Sequence, residues 1–232
     1  MNDRPPANGS PEAPVSSPPA FRLLGTLGLA GALSGLLLVM VHTWTQPRIL
    51  AHQARVLREA IHEVLGGPER YETLFILDGQ LQTQLPAGTD STELDRIYLG
   101  YDADGRALGY AIAGAEPGFQ DVISLLFGFD PSRGQVMGMK VLDHRETPGL
   151  GDKIEKDSTW LARFAGVEVP LLGVKANRSS GARGEVDMIT GATISSRAVI
   201  QIINHRLEEL QPVLNTDLAA RVATPTGAPG GR

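Results

Sequence analysis

The sequence predicts an α+β fold: a single N-terminal transmembrane helix, then one domain of antiparallel hairpins with flanking helices. Three observations predict it. Leu23 to Val41 is a run of 19 residues without a charge. Two pairs of apolar, strand-like segments occupy the middle of the chain, each pair joined by a turn sequence. Helical periodicity brackets these strands, over Pro47–Leu65 and again over Thr193–Leu210. Strands grouped between helices, rather than alternating with them, point to α+β.

Residues 1–22 read as a Pro-rich, disordered leader. Six of the first 20 residues are proline, and Met1 and Val15 are the only large apolar ones. Such a segment cannot bury enough surface to offset its chain entropy. Residues 23–42 follow as the membrane span. At 1.5 Å per residue, a 19-residue run measures roughly 29 Å, the hydrocarbon thickness of a bilayer. A cleaved signal peptide has a shorter apolar core and an A-x-A-like site, and no such site follows Val41. A surface helix of a soluble domain would show a polar face, and this run shows none; a fully buried core helix is the other alternative, and the length favours a membrane span. Gly28, Gly31, Ala32, Ser34 and Gly35 either let another helix approach closely or are ordinary membrane-helix residues.

The next helix places Leu50, Ala54, Leu57, Ile61, Val64 and Leu65 on one face. Pro47 suits its first turn and Gly66-Gly67 its end. Ile97–Gly100 and Leu108–Ala113 flank Asp104-Gly105, a strong hairpin signal. Val122–Phe129 and Gln135–Leu142 flank the turn sequence DPSRG. The closing helix carries Val199, Ile203, Leu207 and Leu210 on one face. Residues 43–212 thus form one domain of about 170 residues, ample for a core. Residues 213–232, ending in ATPTGAPGGR, read as a flexible tail.

Composition excludes several functions. The chain has 21 basic and 26 acidic residues, a net charge of −5, which argues against a nucleic-acid partner. It has no cysteine, so it forms no disulfide, no cysteine-ligated zinc or iron–sulfur site and no catalytic thiol. Redox chemistry would need an organic cofactor, haem, or a metal held by His and carboxylates. No G-x-G-x-x-G follows a strand, so no dinucleotide site is expected.

The chemistry-bearing stretch is Asp187-Met188-Ile189-Thr190-Gly191-Ala192-Thr193-Ile194-Ser195-Ser196. It is a turn of small and hydroxyl residues that opens a helix. Helix N-termini offer free N–H groups and a positive dipole end, which favour phosphate. Gly191 and Ala192 leave room for a large group beside the Thr193 hydroxyl. Plain capping by Thr or Ser explains the same residues with no ligand. A second stretch lies upstream, from His144 through Glu146, Thr147, Pro148, Gly149, Leu150 and Gly151 to Glu155, followed by Trp160 and Phe164. Its small residues would let the backbone lie against a flat ring, with Glu146 and Thr147 as polar contacts. Glu146 is otherwise a solvated loop carboxylate, His144 a surface histidine and Trp160 a core residue.

DxxTGAT resembles the flavinylation motif in which a threonine receives FMN through a phosphoester bond from a separate, FAD-using flavin transferase. HRETPGLGDKIE resembles the H-x-E-T-P-G-L-G segment of FMN-binding domains in bacterial electron-transport complexes. With the single N-terminal helix ahead of both, the chain resembles the G subunits of Rnf-type (Rsx) complexes. The sister family is the C subunit of the sodium-translocating NADH:quinone reductase. The resemblance implies a covalent FMN on Thr193, with Asp187, Thr190, Gly191 and Ala192 as recognition elements. It implies cofactor contacts from Glu146, Thr147, Gly149, Leu150 and Gly151, no metal and no independent catalytic residue.

The same resemblance implies an electron relay in an ion-translocating ferredoxin:NAD⁺ oxidoreductase of the bacterial inner membrane. The partners implied are the other subunits, the transferase and the lipid bilayer, with the domain on the periplasmic side. Arg48, Arg55 and Arg58 after the span against Arg4 and Arg22 before it mildly favour the opposite orientation. Members of the family often carry a glycine where this chain has Asp121, and the segment NRSSGARGEVD also departs from the usual run before the motif. A quinone-reductase C subunit, a non-redox membrane-tethered assembly module and a free-standing flavin carrier are the alternatives.

Overall fold

The structure, a computed structural model, describes residues 19–86 and 94–223, with side chains to Asp217. The expected leader lies outside the described residues up to Pro18, as does the tail beyond Ala223. The chain divides between His52 and Gln53 into two compact units.

The first helix, α1, runs unbroken over Ala20–Val64. It merges the two helices expected at 23–42 and 47–65, and it begins three residues earlier than the expected span. Pro47 lies inside it rather than in a first turn. Proline removes one N–H from the ladder, and no glycine or second proline lies beside it to end the helix. In the preceding turns Thr43 donates to Val39 O at 2.8 Å and Thr45 to Val41 O at 2.7 Å. The apolar part of α1 is long enough to cross a bilayer, and its side chains are exposed. Arg48 sits 4.9 Å from the Trp44 ring centroid.

In the second unit the last turns of α1 bury Ala60, Ile61 and Val64, with Leu65 just beyond. The helix stops as expected at Gly66 and Gly67, whose φ values of 71° and 84° suit glycine; Gly67 N–H donates to His62 O at 2.8 Å.

Seven antiparallel strands form the main sheet: β1 (Arg70–Leu77), β2 (Gln80–Gln82), β3 (Arg96–Tyr101), β4 (Ala107–Pro117), β5 (Val122–Asp130), β6 (Gln135–Asp143) and β7 (Val167–Glu168). Their spatial order is β2-β1-β3-β4-β5-β6-β7. Both expected hairpins are present, β3–β4 and β5–β6. Short helices α2 (Lys153–Lys156) and α3 (Ser158–Leu161) and a 3₁₀ turn at Ala162–Phe164 lead to β7. A parallel pair, β8 (Leu172–Val174) and β9 (Glu185–Asp187), precedes the long helix α4 (Thr193–Ala223).

Both faces of the sheet are covered, and the period of two shows it. Tyr110 and Ile112 of β4 and Leu125 and Phe127 of β5 point into the core that α4 closes with Val199, Ile202, Ile203 and Leu207. The alternate residues Tyr98, Ala111 and Leu126 meet Ile61, Val64 and Leu65 on the other face. α4 continues past Pro212, burying Val213 and Leu214, so the tail expected from 213 is helical through Ala223.

Candidate functional site

Three segments distant in sequence converge on one carboxylate. The first is the turn between β4 and β5, where Gly118 N–H donates to Asp121 O at 2.8 Å and closes the reversal. The second is the loop from His144 to Asp152 after β6. There Thr147 O accepts from the N–H groups of Leu150 (3.2 Å) and Gly151 (3.0 Å), and Gly149 takes a φ of 78° to make the turn. The third is the start of α4.

Glu146 joins them and is only 4% exposed. Its Oε1 accepts from the N–H of Phe119 at 2.9 Å and of Gln120 at 3.1 Å. Its Oε2 accepts from Ser195 Oγ at 2.6 Å. Burial pushes this carboxyl upward, but the bonds from Ser195, Gln120 and Phe119 outweigh it and hold it below the usual carboxylate range. The neighbouring residues are cut to fit. A Cβ on Gly118 would lie 2.4 Å from Glu146 Oε1, and one on Gly151 would lie 2.8 Å from Oε2.

The imidazole of His144 supports the same loop. Its Nδ1 accepts from Glu146 N–H at 3.1 Å, which leaves Nε2 to donate to Glu155 at 3.0 Å. The side chain is 13% exposed, so it is a wired loop residue rather than the surface histidine expected. Nor is Glu146 a solvated carboxylate. Asp152, also buried, takes Lys156 Nζ at 2.7 Å, and that bond holds its carboxyl low.

Beside this clamp lies a cavity of ≈ 330 Å³. Glu146, Gly151 and Ser195 line it from the buried side, with Thr147 and Ala192. Phe119, Leu150 and Ile194 line it with apolar side chains that are 62%, 49% and 49% exposed. Gly191 and Thr193 complete it. The volume falls within the range of small-molecule sites, about 300–1,000 Å³.

The turn into α4 is held by Ser196, which is fully buried. Its Oγ accepts from Ile189 N–H at 3.1 Å and donates to Ala192 O at 2.8 Å. The residue before the helix is Ala192, which has no capping hydroxyl. Thr193 is the first helical residue and is exposed, and among the described residues its hydroxyl has no hydrogen-bond partner. Capping therefore does not account for Thr193.

The structure thus brings Glu146, Thr147, Leu150, Gly151, Gly191, Ala192 and Thr193 to one cavity. Gly149 shapes the loop without lining it. Asp187 and Thr190 line a second, smaller cavity of ≈ 160 Å³. Trp160 is buried edge-on to Phe164, their ring centroids 4.9 Å apart, and packs the core as expected. Sequence reasoning missed Phe119, Ile194 and Ser195. The latter two follow Thr193 directly in the first turn of α4. Phe119 was legible only as an aromatic residue in the turn before β5.

The profile of the FMN-binding domain family matches residues 118–208, a span that contains every residue lining this cavity. The chain is 32% identical over 196 residues to the G subunit of the ion-translocating oxidoreductase complex of Pectobacterium atrosepticum, spanning 82% of this chain and 91% of that one. It is 29% identical over 187 residues to the protein of the same name from Methanosarcina acetivorans, spanning 81% and 92%. Its fold is similar to that of NqrC from Shewanella oneidensis, with a TM-score of 0.61 at 17% identity over 75% of this chain and all of that one.

Proposed function

The chain belongs to the family of G subunits of ion-translocating oxidoreductase complexes, and on that premise we propose that it carries FMN covalently on Thr193 and relays electrons within an Rnf-type complex. It is a membrane-anchored, FMN-binding subunit of such a complex. The quinone-reductase C subunit shares the fold at 17% identity, whereas identities above 30% lie with the G subunits.

The residues at the cavity fit FMN. The first turn of α4 leaves N–H groups without intrahelical acceptors beside Thr193, a setting that favours a phosphoester. Phe119, Leu150 and Ile194 offer exposed apolar surface to a flat ring. Thr147, Leu150 and Gly151 line the cavity from a loop that Gly149 shapes, and would meet the ring edge. Glu146 shapes the cavity and, with all its bonds made inside the protein, remains anionic at neutral pH. When bound, FMN supplies the redox chemistry; the protein positions it and tunes it.

The observation that carries the reading is the Thr193 hydroxyl. It stands at the cavity with no hydrogen-bond partner among the described residues, while Ser196 performs the structural work of the turn. In attachment, Thr193 Oγ1 would attack the FMN-side phosphorus of FAD. The O–P bond forms, the bond to the AMP half breaks, the hydroxyl proton goes to solvent and AMP leaves. No electrons are exchanged.

The candidate span within α1 anchors the chain in the bacterial inner membrane, and residues 43–212 form the FMN-binding domain on the periplasmic side, where the transferase works. The leader 1–22 then lies in the cytoplasm. The basic residues after the span do not oppose this, because long domains translocate largely regardless of flanking charge. The partners are the other subunits, the bilayer and, during maturation, the transferase.

The test is full-length protein co-expressed with a flavin transferase and exported. Denaturing gels should show flavin fluorescence in the wild type and none in Thr193→Ala, and intact mass should add one FMN. A transferase-competent, exported wild type without fluorescence refutes the covalent assignment.

A further inference from the structure

The attachment motif has two faces with different surroundings. Gly191, Ala192 and Thr193 line the larger cavity, whereas Asp187 and Thr190 line the smaller one, beside Arg163. Asp187 ends β9, and its side chain is 13% exposed. Its Oδ2 accepts from Arg163 Nη1 at 2.5 Å, and its carbonyl accepts from Trp160 Nε1 at 2.8 Å. Its Oδ1 is buried and without a partner among the described residues. A largely buried carboxylate in that state depends on its one cation, and losing the cation leaves an uncompensated charge.

Arg163 is well placed for this duty. It sits in the 3₁₀ turn Ala162–Phe164, whose Phe164 is fully buried against Trp160. Three of the five residues between Asp187 and Thr193 are tied through their main-chain N–H. Met188 N–H donates to Val174 O at 2.8 Å, and Ala192 N–H donates to Ile189 O at 3.0 Å. Ile189 N–H donates to Ser196 Oγ at 3.1 Å, inside α4. Five residues separate Asp187 from Thr193, and these bonds leave the segment little freedom.

Resting on the reading that Thr193 receives FMN, we propose that Arg163 is a positioning residue for that modification: by holding Asp187 it sets where the Thr193 hydroxyl stands when the transferase acts. Asp187 then works inside the fold and is not a contact offered to the transferase. Arg163 lines the smaller cavity and is not among the residues that line the larger one.

The experiment uses full-length apo-protein in detergent with a purified flavin transferase and FAD. Initial rates of FMN transfer are measured over a range of apo-protein concentrations for the wild type, Arg163→Gln, Asp187→Asn, the double variant and Arg163→Lys. Melting temperatures are read on the same samples. A displaced nucleophile costs turnover, so kcat should fall roughly tenfold or more in either single variant while KM for the apo-protein holds. The double variant should be no slower than the singles, because both break one link. Arg163→Lys should recover part of the rate.

Wild-type kcat in Arg163→Gln overturns the proposal. So does a raised KM with unchanged kcat, which would make the pair a docking contact, or a loss that merely follows the folded fraction. A wild type that takes up no flavin refutes the Thr193 reading itself, and this inference with it.

Discussion

Replacing Glu146 should loosen three segments at once, and the cost can be worked from its bonds. Glu146→Gln keeps the volume and one acceptor oxygen. Phe119 and Gln120 N–H can still donate to that oxygen, and Ser195 can reorient to accept from the new amide. Three charge-assisted bonds become neutral ones, each weaker by about 1 kcal/mol. Removing a buried charge returns part of that sum. The net expectation is about 1–2 kcal/mol, or roughly 2–8 °C in melting temperature for a unit of this size. Glu146→Ala leaves two N–H groups and a hydroxyl without their acceptor. Water from the adjoining cavity can satisfy some of them, so about 3 kcal/mol is expected.

The pH dependence fixes the sign. The folded-state carboxyl lies below its ordinary value, so its stabilisation is fully present above the unfolded pKa, about 4.3. It is lost as pH falls through the lower, folded value. The gap between wild type and Glu146→Gln should therefore stay constant above about pH 5 and close below about pH 4. Thermal unfolding followed by near-UV circular dichroism, on full-length protein in detergent from pH 3 to 8, measures it. Equal stability at pH 7, or a gap undiminished at pH 3, would refute the clamp.

Gly151→Ala and Gly118→Ala should each destabilise by about 1–3 kcal/mol, because the added Cβ meets Glu146 at 2.8 Å and 2.4 Å; denaturant midpoints check this. Ser196→Ala should lower stability by about 1–3 kcal/mol, since Ile189 N–H loses its acceptor in a buried turn. Thr193→Ala removes a hydroxyl with no hydrogen-bond partner among the described residues, so it should stay within about 0.5 kcal/mol of wild type in the same melts while losing the flavin. Phe119→Ala should expose the bound ring, seen as stronger quenching of flavin fluorescence by iodide than in wild type. Unchanged quenching would remove Phe119 from the cofactor's surroundings.

Much of the fold was legible because its signals are local. Asp104-Gly105 and DPSRG mark their hairpins within a few residues, and the 3.6-residue period marks α4 as far as Leu210. What failed depended on context. Pro47 read as a first helical turn and the closing helix was read only as far as Leu210, yet α1 runs through Pro47 and α4 through Pro212. One missing N–H is outweighed when the flanking residues remain good helix formers or, as with Val213 and Leu214, gain burial. β1 and β2 are joined by Asp78-Gly79, the same kind of turn signal as Asp104-Gly105, and went unread, whereas β7, β8 and β9 are only two or three residues long. Such strands are set by their neighbours rather than by their own pattern.

The site shows where motif reading stops. In sequence, Gly149 and Gly151 read as one device, small residues that let a flat ring lie on the backbone. In space they differ. Gly149 answers a positive φ, while Gly151 answers a carboxylate and a serine hydroxyl that fill the place of its side chain, at 2.8 Å and 3.2 Å from where a Cβ would be. Gly118 meets the same carboxylate from the other side. Ser195, two residues past the attachment threonine, completes the set. Gly118, Gly151 and Ser195 thus share one cause, the need to close a hydrogen-bonded shell around Glu146. That shell ties the Phe119 turn and the 144–152 loop to the first turn of α4, so the geometry around Thr193 is inherited from a residue 47 positions earlier in the chain.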